Sequence, residues 1–225
     1  MRNPEPPLGY TLLFQIGGLV NEYTGQAVFM RGGKIVHVET LTEVEEIEFP
    51  APIGKAEAFV TSGGSSTCPY TFEGKLEAYD YKTVRYPGHC RPMAVMRDLG
   101  LFDLEPIPVD GVPVVPRKVF EAVAAPRLSR AEVDDLVVLR VTCRGIKDGK
   151  PTDYTMDLMD AKDPATGFTA MERTTGFPAA LVVAALPDVA LPPGAHRLEQ
   201  GPFWLGLLDD LRNRGLRIEE SLLEY

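Results

Sequence analysis

Apolar and β-branched runs broken by glycine and proline dominate the first half of the chain. Tyr10 to Ile16 is short and apolar, which predicts a mostly buried strand broken by Gly17-Gly18, and Leu19 to Tyr23 begins a helix. Gln26 to Arg31 and Lys34 to Glu39 are β-rich runs joined by Gly32-Gly33, which predicts a hairpin. Glu43 to Phe49 and Lys55 to Thr61 read as further strands, separated by Pro50 and Pro52. Leu76 to Tyr86 reads as another strand. Pro87 suits the first turn of a helix, in which Met93, Val95, Met96, Leu99 and Leu101 hold helical apolar spacing around Gly100.

In the second half, Glu105 to Pro116 is rich in proline and glycine and reads as a linker or flap, followed by a short helix from Arg117 to Ala125. Ser129 with Glu132 three residues later has the form of a capping box. Leu136 to Ile146 and Thr152 to Asp160 flank Asp148-Gly149, the signal of a second hairpin. Gly167 to Leu186 is mainly helical, with interruptions expected at Gly176 and Pro178. Phe203 to Arg214 is amphipathic and stopped by Gly215, and Leu216 to Ser221 reads as a closing strand. Hairpins mixed with helices predict the α+β class: a mixed, largely antiparallel sheet with helices packed on one face.

Composition narrows the function. The 225 residues suffice for one large domain or two small ones, and 44% hydrophobic content suits a packed core. The net charge of −9 excludes a concentrated basic face, so no nucleic-acid partner is expected. No apolar run reaches the roughly 18 residues of a membrane span, so no membrane association is expected. The N-terminus lacks the apolar core of a signal peptide, which makes the cytoplasm the expected compartment. Cys68, Cys90 and Cys143 are dispersed and odd in number, against a disulfide framework, and three histidines without ligand spacing give no metal site. Cys90 follows His89 directly, but nothing else marks it as a nucleophile.

Polar chemistry concentrates in Asp80 to His89, where a hydroxyl, two cations, two phenols and an imidazole meet at a strand-to-helix turn. Two readings stand open: a polar substrate site with Arg85 as a carboxylate fork, or a charged, solvated strand end. Thr83 and Arg85 alternate with Val84, so on a strand they share a face that Lys82 does not. The loop Ser62-Gly63-Gly64-Ser65-Ser66-Thr67 offers backbone N–H groups and hydroxyls for lining a substrate, but it has neither the spacing nor the lysine of a phosphate loop. No G-x-G-x-x-G occurs, so the chain is not expected to bind a dinucleotide by itself.

Three stretches together resemble one family. They are Pro7-Leu8-Gly9-Tyr10 leading to Gly17-Gly18-Leu19-Val20-Asn21-Glu22-Tyr23, then Tyr81-Lys82-Thr83-Val84-Arg85-Tyr86-Pro87-Gly88-His89, then Thr166 to Ala180 with Glu172-Arg173-Thr174-Thr175-Gly176 at its centre. They resemble the C-terminal, substrate-binding and dimerisation domain of the saccharopine dehydrogenase family, nearest the lysine 6-dehydrogenase-like branch. The resemblance implies reversible hydride transfer between a nicotinamide and a carbon bearing an amine. It implies NAD or NADP in the complete protein and none for this chain alone, an amino-acid substrate, and a homodimer. It also implies that the chain is a truncated member, with Met1 an added start, lacking the Rossmann domain that carries the glycine fingerprint.

Carried onto this sequence, the resemblance makes Thr83, Val84 and Arg85 the substrate-binding residues and His89 the proton acceptor. Asn21, Glu22, Thr174 and Thr175 fall at the cofactor edge. Residues 1–186 correspond to the catalytic and dimerisation domain, and 187–225 to a helix and strand that pack toward the nucleotide domain. Two other functions are compatible with the residues: an amino-acid-sensing module without catalysis, and a purely structural dimerisation domain.

Overall fold

The computed structural model describes residues 7–202 and 206–225, and in it the first expected hairpin is exact: β1 (Gln26–Arg31) pairs with β2 (Lys34–Glu39) around Gly32 and Gly33, both at positive φ. Helix α1 (Ile16–Glu22) precedes it and corrects the expected strand at Tyr10–Ile16. Gly17 and Gly18 lie inside α1 because the helix packs closely there. A Cβ on Gly18 would stand 3.2 Å from the Phe14 ring, and one on Gly17 3.3 Å from the Glu121 carboxylate.

The chain divides into two compact units, Met1–Glu132 and Val133–Tyr225. In the first, β3 (Glu45–Phe49) pairs with β4 (Gly54–Val60), and the short helix α2 (Cys68–Phe72) follows. The run expected as one strand at Leu76–Tyr86 is two: β5 (Ala78–Tyr79) pairs with β1, and β6 (Lys82–Arg85) pairs with β4. The chain therefore crosses between two three-stranded sheets, β2-β1-β5 and β3-β4-β6, at Asp80-Tyr81. Helix α3 (Cys90–Asp98) starts later than Pro87 suggested, because Gly88 at φ +94° makes a turn first. The expected flap holds a small hairpin, β7 (Ile107–Val109) with β8 (Val112–Val114). Helix α4 (Pro116–Leu128) ends the unit's regular structure.

Leu19, Val20, Tyr23, Leu41, Phe59, Cys90, Met93 and Phe102 form the main core of this unit. Burying that much aliphatic and aromatic surface supplies most of the driving force for the unit, at about 1.5–3 kcal/mol for each large side chain.

The second unit is built on long strands. β9 (Leu136–Lys147) and β10 (Lys150–Ala161) form the hairpin that Asp148-Gly149 announced, and β11 (Arg217–Glu224) pairs with the other edge of β10. Helix α5 (Ala170–Ala185) runs unbroken through Gly176 and Pro178, against expectation. Helix α6 (Leu207–Asn213) lies within the run Phe203–Arg214 expected as an amphipathic helix, of which residues 203–205 lie outside the described residues. Leu158, Leu211, Leu216 and Ile218 form the core here, with Phe177 and Leu181 of α5 packed on it.

The expected capping box at Ser129 does not form. Ser129 follows α4, and its hydroxyl donates to the Ala125 carbonyl at 2.8 Å. The capping box lies instead at Thr169 and Glu172, where each side chain bonds the other residue's backbone N–H. Asp135 adds a buried carboxylate that accepts from the N–H groups of Ala170 and Met171 at 2.7 and 2.8 Å. Every strand pairing among the described residues is antiparallel, and the α+β class holds over four small sheets.

Candidate functional site

The site grows out of the register between β4 and β6. Glu57 stands opposite Arg85, and Phe59 opposite Thr83. Directly opposed residues of an antiparallel pair project to one face, and alternation adds Thr61 and Tyr81 to it. Lys82 takes the other face, where its ammonium meets the Glu43 carbonyl at 2.9 Å and the Glu45 carboxylate at 3.2 Å.

Arg85 stands at the centre. Its Nη1 donates to the Val84 carbonyl at 3.0 Å, and its Nη2 reaches the Glu22 carboxylate only at 3.5 Å. The guanidinium charge also acts on the Tyr23 hydroxyl, and the guanidinium lies 5.4 Å from the centre of the Tyr10 ring. Among the described residues the buried Nε of Arg85 has no hydrogen-bond partner, and neither has the buried Tyr10 hydroxyl. A guanidinium carries five N–H donors, so the Nε–Nη2 edge is under-used.

His89 continues the chain of bonds. Its Nδ1 meets the Leu8 carbonyl at 3.1 Å, and its Nε2 meets the Tyr23 hydroxyl at 2.9 Å. A carbonyl only accepts, so Nδ1 carries the hydrogen and Nε2 accepts from Tyr23. The Tyr23 hydroxyl therefore donates to His89. Burial first, and then the positive charge of Arg85, push the imidazole down to about 4, so it is neutral near pH 7. The ring is 1% exposed and packs among Phe59, Tyr23 and Tyr10. Burial also pushes Tyr23 up to about 12 and raises Tyr10.

Glu57 anchors the turn that carries His89. Its carboxylate accepts from the N–H groups of Gly88, His89 and Cys90 at 3.0, 2.8 and 2.6 Å, which satisfies the start of α3. Cys90 is buried against the Leu41 carbonyl, and burial together with Glu57 pushes its thiol up to about 11, so it is no nucleophile. Thr83 is buried, with its hydroxyl 2.7 Å from that of Thr61 and 3.4 Å from that of Tyr81. Of the predicted site residues in this unit, the fold brings Arg85, Glu22 and His89 into one network and sets Thr83 below it.

The loop after β4 borders Glu22. The Ser62 N–H donates to the Glu22 carbonyl at 2.9 Å and its hydroxyl to the Asn21 carbonyl at 2.8 Å. The residues expected at a cofactor edge are hydrogen-bonded within their own units. Asn21 Oδ1 accepts from Arg117 at 2.7 Å, Thr174 donates to the Ala170 carbonyl at 2.8 Å, and Thr175 donates to the Met171 sulfur at 3.7 Å. Thr174 and Thr175 belong to the second unit. Gly17, Gly18 and Gly64 each face a side chain, so at these three positions the missing Cβ serves packing. Among the described residues no cluster of His, Cys, Asp or Glu could hold a metal ion, and no helix is long and apolar enough to cross a membrane.

Tyr10, Tyr23, Glu57 and Thr61 were not singled out from sequence. Alternation over Lys55–Thr61 would have placed Glu57, Phe59 and Thr61 on one face, but the pairing with β6 that joins this face to Arg85 carries no local signal.

An α+β domain with a partly buried arginine whose fork is only partly paired is thus defined by fold and site. The saccharopine dehydrogenase C-terminal domain family matches residues 2–216, and the chain belongs to that family. The structure of apo histidine-tagged saccharopine dehydrogenase (L-Glu forming) from Saccharomyces cerevisiae superimposes with a TM-score of 0.71 over 98% of this chain, at 16% identity. At that identity the likeness concerns the fold alone. The chain spans 64% of the length of the yeast enzyme.

Proposed function

We propose that the chain is the substrate-binding domain of an NAD(P)-dependent oxidoreductase acting on a carbon–nitrogen bond of an amino acid, of the saccharopine or lysine 6-dehydrogenase kind. Family membership supports the reaction class, and the Arg85 fork supports the ligand class. The single observation that carries the reading is the under-used Nε–Nη2 edge of Arg85. That edge matches the two oxygens of a carboxylate, and bidentate pairing adds both strength and orientation.

Within this reading Arg85 grips the substrate carboxylate, and Val84 holds the guanidinium in place through its carbonyl. Thr83 supports the face from below, with its hydroxyl turned to Thr61. His89 holds the Tyr23 hydroxyl in place. The nicotinamide, which supplies hydride chemistry, would be held by residues outside these 225, and residues 187–225 would pack toward them. The assembly is a homodimer in this reading.

Titration calorimetry of the 225-residue chain with L-lysine and L-glutamate tests the ligand class. Binding that weakens at least tenfold in Arg85→Ala is expected, and equal affinity in the variant removes Arg85 from the site. In a protein that joins this chain to a dinucleotide-binding domain, Arg85→Ala is expected to raise KM and lower kcat/KM steeply.

A non-enzymatic amino-acid-binding module is the second reading. It is favoured by His89, which is 1% exposed with both ring nitrogens engaged and so lies out of hydrogen-bond reach of a bound amine. Tight amino-acid binding with no oxidation in the joined protein supports that reading over the first.

A further inference from the structure

Glu22 is the only carboxylate the structure places against the Arg85 fork among the described residues, and its contact is loose. The Oε2–Nη2 separation is 3.5 Å, against about 2.7–2.9 Å for a good charge-assisted bond. The two side chains remain 34% and 20% exposed, so the pair borders open space. Glu22 closes α1, and the Ser62 N–H holds its backbone carbonyl, which fixes where the carboxylate starts from. The Glu22 charge also acts on the phenols of Tyr10 and Tyr23, which are neutral at physiological pH.

A ligand carboxylate docking on the Nε–Nη2 edge arrives beside a second carboxylate. Two like charges within about 4–6 Å oppose each other unless a cation lies between them or one is protonated. An α-amino acid brings that cation, attached one carbon from its own carboxylate. We infer that Glu22 is a specificity-determining residue that receives the α-ammonium group of the ligand, so that Glu22 and Arg85 together select a zwitterion over a simple carboxylic acid. The inference rests on Arg85 as the carboxylate fork and adds the partner that reads the amine. Before binding, Glu22 shields the guanidinium. On binding, it exchanges a long contact with Arg85 for a short one with the ammonium group.

The test compares L-lysine with 6-aminohexanoate and L-glutamate with glutarate, each pair differing by the α-amine. Titration calorimetry is run on the wild-type chain, Glu22→Gln, Glu22→Asp and Arg85→Ala, each first checked for a cooperative thermal transition. At least one amino acid is expected to bind wild type tenfold or more tightly than its des-amino partner. In Glu22→Gln that ratio is expected to fall to within about threefold, chiefly by weaker amino-acid binding, with partial recovery in Glu22→Asp. A ratio unchanged in Glu22→Gln overturns the role of Glu22 while leaving the Arg85 fork standing. Equal binding in Arg85→Ala, or no binding of any of the four compounds to wild type at millimolar concentration, overturns the fork and this inference with it.

Discussion

Tyr81 fills the space in which Gly64 would carry a side chain. A Cβ built on Gly64 stands 2.0 Å from Cε1 of the Tyr81 ring, well inside any tolerated contact. Gly64→Ala is therefore expected to force either the ring or the loop beside Glu22 to move, at about 1–3 kcal/mol. Thermal unfolding of Gly64→Ala and of Gly64→Ala/Tyr81→Ala checks this. The double variant should lose less than the two single losses added, because removing the ring removes the clash. Strict additivity would show that the two residues are not coupled.

The hydroxyls of Thr61 and Thr83 are each other's buried partners at 2.7 Å. Replacing either threonine with valine keeps the shape and leaves one hydroxyl short of a partner, at about 1–3 kcal/mol. Replacing both removes the need for a partner, so urea unfolding of Thr61→Val/Thr83→Val should show a smaller loss than the sum of the singles. A double loss equal to the sum would mean the contact contributes nothing.

His89 makes stability depend on pH. Its folded-state value of about 4 lies below its ordinary 6.5, so between these values the unfolded chain binds more protons than the folded one. This contribution is fully present above pH 6.5 and is lost as pH falls toward 4, amounting to about 3 kcal/mol at most. Glu22, raised chiefly by burial, works in the opposite direction in its own range. Melting curves from pH 7 to pH 4 should therefore fall more steeply for wild type than for His89→Gln. Parallel curves would show that the imidazole does not titrate with unfolding.

In the second unit, Arg173 and Asp160 form a buried ion pair at 2.8 Å, with Arg173 5.4 Å from the centre of the Phe177 ring. Arg173→Met leaves the Asp160 carboxylate buried without its cation, an arrangement that costs about 3–5 kcal/mol. Chemical denaturation followed at β9–β11 should show that loss, and Arg173→Met/Asp160→Asn should recover part of it. No recovery in the double variant would trace the loss to the other contacts of Arg173, with Phe177, Asp163 and the Arg214 carbonyl.

Local signals carried much of the architecture. Gly32-Gly33 and Asp148-Gly149 fixed both hairpins, because only a few residues accept the positive φ such turns require. Other local signals pointed the wrong way. Ser129-x-x-Glu132 and Thr169-x-x-Glu172 have the same capping-box form, and only the second precedes a helix. Gly17-Gly18 looks like a break, yet it is where α1 lets Phe14 and Glu121 come close. In each case a neighbour distant in sequence or on another element made the choice.

By itself, the sequence determined the α+β class, the strand alternation that puts Thr83 and Arg85 on one face, and the motifs that mark the family. Those are properties of neighbours in the chain, set by the two-residue period of a strand and the φ of its turns. Only the tertiary structure decided what that face meets. It brought Glu22 to Arg85 across 63 positions and Tyr23 to His89 across 66, and it buried the imidazole that sequence alone left as a proton acceptor. Burial and charge pairing depend on which elements pack together, and that is what set the protonation of His89 and left the Nε of Arg85 without a partner among the described residues.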